Sequence, residues 1–182
     1  MILWIALAVA GSVVYGVVND QITAVISPEY YLVYKHHQFY NQLDSLQMLQ
    51  APVQVQAAVV GVLGTWWYGL FTGIMLSISS MFGRYPPLST RLYIRALLTV
   101  AIAIFTVSVF FGVISYLIEP QILENIRNRS FLNNIEDIRT AYCVGNWHNG
   151  AYYAALPAII TAGFWAQWKR RKLATSMTEQ KT

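Results

Sequence analysis

The sequence predicts an all-α fold, a four transmembrane helix bundle with amphipathic helices in the two long extracytoplasmic connections. Three observations predict it. The 182-residue chain is 56% hydrophobic and 11% charged, where a soluble domain carries about 25% charged residues. Its apolar residues fall in four blocks, at 2–18, 57–82, 96–118 and 150–168, each near the about 20 residues a helix needs to cross a hydrocarbon core. Polar residues collect between these blocks. The chain 1–182 therefore reads as one membrane domain, with outer connections at 19–56 and 119–149 and a tail at 169–182.

The first block holds Ala8-Val9-Ala10, which resembles a signal-peptide cleavage site. It lacks a basic leader and its apolar run continues to Val18, so it is expected to stay as a span. Gln21 to Ile26 is β-prone and is expected to be extended. Ser27-Pro28-Glu29 then has the pattern of a helix start: a Ser cap, Pro at the first helical position, and an acid at the positive dipole end. Leu32, His36, Phe39, Leu43 and Leu46 follow at three- and four-residue spacing, the signature of an amphipathic helix.

In the second block Gly69 and Gly73 form a GxxxG step, with Gly61 and Gly64 upstream. Small residues at this spacing let helix backbones approach closely, and packing within the chain or against another subunit is the expected role. Trp66, Trp67 and Tyr68 are expected to pack against the other spans; lining a groove for a lipid or quinone tail is the alternative. After the third block, Pro120 opens a segment in which Ile122, Ile126, Ile135 and Ile138 mark an apolar face. The two outer segments are expected to form a cap. Pro157 in the fourth block predicts a kink.

Charge sets the orientation. Arg84, Arg91 and Arg95 flank the second connection and Lys169, Arg170, Arg171 and Lys172 follow the fourth block, whereas the first outer connection has only Lys35. By the positive-inside rule both termini are cytoplasmic, in what is expected to be a bacterial inner membrane, with Trp165 and Trp168 at the inner interface. The basic residues sit at membrane ends, so the expected partner is the lipid bilayer, joined by other membrane subunits or copies of the chain, and not nucleic acid. The single cysteine, Cys143, excludes an intrachain disulfide or a cysteine-rich zinc site.

No Asp, Glu, Lys, Arg or His falls in the central part of a predicted span, which disfavours a carboxylate-driven transporter. The polar candidates lie at the outer boundary: Asp20, Glu29, His36, His37, Glu119 and His148. Carboxylates with imidazoles suit metal binding or acid–base work, and Glu29, Glu119 and His148 are the candidate metal ligands if the bundle gathers them. Glu29 and His36 alone cannot serve one ion, being roughly 10 Å apart along a straight helix. His36 and His37 point about 100° apart around that axis. Solvation at span ends is the simpler account of all six. No Walker loop, GxSxG, HExxH or dinucleotide fingerprint occurs, and Asn128-Arg129-Ser130 is a formal glycosylation sequon.

The DQIT and ISPEYY elements, with KHHQF and the WHN that opens the last block, resemble a family of uncharacterised bacterial four-span integral membrane proteins. That resemblance implies a membrane location and span layout but no activity, cofactor or functional residue. The leading expectation is a non-catalytic membrane subunit packing through its glycine face. The alternatives are a small membrane enzyme or ligand-binding protein with an outer carboxylate/histidine site, and an oligomeric channel.

Overall fold

A computed structural model of the full chain describes residues 1–127 and 134–179. Among them the structure is helical throughout, with no strand: α1 (Ile2–Ile26), a π-helical segment (Tyr30–Lys35) running into α2 (His36–Gln38), α3 (Tyr40–Ser45), α4 (Val53–Met81), α5 (Thr90–Tyr116), α6 (Pro120–Arg127) and α7 (Ile138–Glu179). Three of these, α1, α4 and α5, are long and apolar enough to cross a membrane. The 42-residue α7, about 63 Å long, contains the 150–168 block and stays helical through Pro157.

The helices form two pairs. α1 lies along α4 and α5 lies along α7, with α4 and α7 joining the pairs, while α1 and α5 touch only sparsely. Glycine sets the first pairing. A Cβ at Gly61 would stand 2.8 Å from the backbone of Gly16, one at Gly69 2.7 Å from Val9 Cα, and one at Gly73 2.9 Å from Ile5 Cα. The glycine face is thus occupied by α1 of the same chain. Gly64 corrects the expectation: nothing lies within 4 Å of its would-be Cβ, because it faces a groove and not a helix.

One end of the bundle is tied by Tyr93, which stacks on Trp4 at 4.4 Å and donates to the Trp4 carbonyl at 3.0 Å. At the same end Arg170 is fully buried and donates to the carbonyls of Ser79, Met81, Phe82, Tyr85 and Pro86. It caps the end of α4, whose last carbonyls have no helical partner, and fixes the turn in which Gly83 takes φ 107°. Ser89 caps α5 by accepting from the Leu92 amide at 3.4 Å.

At the opposite end Glu29 joins the two outer connections, accepting from the amides of Glu136 at 3.3 Å and Asp137 at 2.9 Å. Tyr30, Tyr31, Leu123, Ile135, Ile138 and Val144 close a second core there.

Three local expectations are corrected. Residues 21–26 continue α1, since Thr23 and Ala24 are buried and the helix stops only before Pro28, which has no amide to donate. Ser27 makes no cap; its hydroxyl is buried without a hydrogen bond. In the first outer connection Tyr30, Tyr31 and Lys35 face inward and Leu32 and Leu46 stand exposed; likewise Ile122 is exposed while its neighbour Leu123 is buried. The sequon at 128–130 and the side chain of Ile126 lie outside the described residues.

Candidate functional site

A groove of about 520 Å³ runs between the two helix pairs, lined from α1, α4, α5 and α7. Its wall is almost entirely apolar, including Leu7, Val14, Ile94 and Leu98 on the side where α1 and α5 barely meet. Trp67 and Tyr68 line it and Trp66 does not, although both tryptophans are about half exposed. Along the same wall the hydroxyls of Tyr15, Tyr68 and Thr72 are buried without a well-formed hydrogen bond. One end of the groove is different: Asn19, Asp20, Lys35 and His148 converge there.

The sequence placed Asp20 and His148 at the rims of their spans. The structure moves both inward, because α1 extends about 9 Å of rise beyond Asp20 and α7 begins about 15 Å before His148. Both are buried, and His148 Nε2 lies 3.2 Å from Asp20 Oδ1.

Hydrogen-bond direction can be assigned through this cluster from groups that can only donate or only accept. Trp147 Nε1 donates to Asn19 Oδ1 at 2.8 Å, which leaves Asn19 Nδ2 to donate to Asp20 Oδ1 at 3.2 Å. His148 Nδ1 faces the Val144 carbonyl at 2.8 Å, an acceptor only, so that nitrogen carries a proton. A neutral ring would then aim the Nε2 lone pair at the Asp20 carboxylate. The arrangement requires a second proton between Nε2 and Oδ1, shared as imidazolium with carboxylate or as imidazole with carboxylic acid. In both forms the pair is neutral overall. Tyr31 O–H stands 3.5 Å from Nε2 and 2.7 Å from Thr23 Oγ1, which donates onward to the Asn19 carbonyl at 3.0 Å. Burial pushes the Tyr30 and Tyr31 phenols far above their usual range, so Tyr31 keeps the proton it donates to Thr23.

Lys35 is the group the sequence reading passed over. It faces inward, 5% exposed, with its Nζ 3.0 Å from Gln38 Oε1 and 5.5 to 5.8 Å from the rings of Tyr30, Tyr34 and Phe39. Burial pulls its ammonium below the usual lysine range, and the charge of Asp20 opposes that shift. The only signal in the sequence was composition: one lysine among tyrosines in a connection otherwise without basic residues.

The remaining candidates do not join this cluster. Glu29 serves the amides of Glu136 and Asp137, and Glu119 is exposed at the start of α6, where its carbonyl receives the Ile122 and Leu123 amides. His36 Nδ1 lies 3.4 Å from Gln56 Oε1; the Gln56 amide nitrogen is committed to the Leu49 and Ala51 carbonyls. His37 is exposed. Glu29, Glu119 and His148 are thus not a ligand set, and among the described residues no three His, Cys, Asp or Glu side chains gather to hold a metal ion. Cys143 is buried and in no disulfide.

Comparison of the chain with protein-family models, with curated proteins and with solved structures finds no match.

Proposed function

We propose that the chain is a four-span protein of a bacterial inner membrane, both termini cytoplasmic, that takes one single-chain amphiphile from the bilayer into its groove. The fourth span is the 150–168 part of α7, packed along α5. Arg84, Arg91, Arg95 and the run Lys169 to Lys172 gather at the end where Arg170 meets the turn after α4, which makes that end the cytoplasmic one.

One observation carries the reading: an apolar groove, flanked by two sparsely touching helices, that ends on buried polar side chains. Ligand sites combine an apolar wall with a few convergent polar groups at this scale, about 300–1,000 Å³. At protein packing density about 520 Å³ takes one alkyl or isoprenoid chain with its head and not a diacyl lipid. The packing-subunit reading loses its main support, because Gly61, Gly69 and Gly73 are engaged by α1.

Gly64 supplies the test. A side chain there has open space and enters the groove. Native mass spectrometry of the full-length protein in mild detergent with added oleate is expected to show one bound chain on the wild type and none on Gly64→Leu, at equal thermal stability. Equal occupancy of the two proteins, or no adduct on either, contradicts the reading.

A further inference from the structure

We infer that the polar end of the groove is an anion site, selecting chains that carry a carboxylate head, with Lys35 as the group that binds it. This rests on the groove reading and adds the chemistry of the occupant.

Charge at the site gives the sign. Asp20 is already engaged: its Oδ1 lies 3.2 Å from His148 Nε2 and also accepts from Asn19 Nδ2, while His148 Nδ1 donates to the Val144 carbonyl. Lys35 is different. Its three N–H donors meet one acceptor among the described residues, Gln38 Oε1, and no carboxylate there forms an ion pair with it. Aromatic rings of Tyr30, Tyr34 and Phe39 flank it, and ring faces attract the cation without accepting its remaining protons as a carboxylate oxygen does. A buried ammonium with spare donors, on the wall of a groove that admits a chain, is a counter-charge in waiting. One fixed positive charge matches a monoanion. A phosphate monoester, at about −1.5 to −2, would leave charge uncompensated in the same apolar setting.

Tyr31 and Lys35 are four residues apart and so share one face in an α-helix as in the wider turn over Tyr30–Lys35, and both are buried on that face.

Binding of four probes with closely matched chains to the full-length protein in nanodiscs tests this: oleate, oleyl alcohol, oleylamine and oleyl phosphate. Oleate is expected to bind about tenfold or more tightly than the alcohol or amine, the scale of a charge-assisted hydrogen bond. Lys35→Met should remove that gap while leaving the alcohol's affinity within about twofold, and Lys35→Arg should keep it. Gly64→Leu should abolish all four. Equal binding of oleate and alcohol to the wild type overturns the anion site and leaves the groove standing; preference for oleyl phosphate overturns the carboxylate. Failure of every probe overturns both readings. If Lys35→Met does not fold, the wild-type acid-to-alcohol ratio decides alone.

Discussion

Arg170 and the Asp20–His148 pair show two ways of keeping charge inside a greasy bundle. Arg170 pairs with no carboxylate among the described residues; it is satisfied by main-chain carbonyls of residues 79–86, which need donors because a helix ends there. Arg170→Lys keeps the charge but loses the planar fork that reaches several carbonyls at once. Both Arg170→Ala and Arg170→Lys are therefore expected to lower thermal stability in detergent, the alanine by about 3 kcal/mol or more, since several hydrogen bonds to a charged group go together. An unchanged melting temperature for the alanine variant would remove the clasp. The pair behaves differently. His148→Ala leaves the Asp20 carboxyl buried without its main partner and should cost about 3–5 kcal/mol, while Asp20→Asn in the same chain should recover part of that. A double-mutant cycle by thermal unfolding measures this; strictly additive losses would mean the two groups do not share a proton.

At the scale of elements, composition revealed the spans and concealed their ends. Apolar blocks are visible because each residue contributes independently to hydropathy. Asn19, Asp20, Gln21 and Thr23 read as the end of a span because polar residues are expected to seek water. In the fold they find Trp147, His148, the Gln54 carbonyl and Tyr31 instead, and the helix continues. Tyr31 is eight residues from Thr23, but the other partners lie 33 to 128 residues away, at separations no local pattern registers. The glycines were legible as a group and not individually: spacing marks small residues, but which of them meets another backbone depends on where α1 lies. Gly61→Ala is expected to destabilise by about 1–3 kcal/mol through overpacking against Gly16. Gly64→Ala should be neutral or add up to about 1 kcal/mol, because alanine is the better helix former and has room. Thermal unfolding that ranks the two alike would contradict the α1–α4 contact. The π turn was not legible at all. No glycine or proline lies inside Tyr30–Lys35 to announce it.

The whole molecule is a pair of helical hairpins held at both ends and separated along one side. Tyr93 with Trp4 and Arg170 with the turn after α4 hold one end, and Glu29 with the second outer connection holds the other. Between them α1 and α5 leave a slot whose walls are apolar and whose outer end is charged. Of the boundary residues singled out in the sequence, Asp20 and His148 meet, with Lys35 on the wall of the same groove, and among the described residues no three His, Cys, Asp or Glu side chains gather to hold a metal ion. Occupancy of the slot is the central claim, and photolabelling measures it directly. A diazirine-bearing fatty acid, cross-linked to the full-length protein in nanodiscs and mapped by peptide sequencing, is expected to mark Tyr68, Leu97 and Ala101 on the groove wall, with label competed away by unlabelled oleate. Label confined to outward residues such as Ile102 and Phe164, and insensitive to competitor, would contradict it.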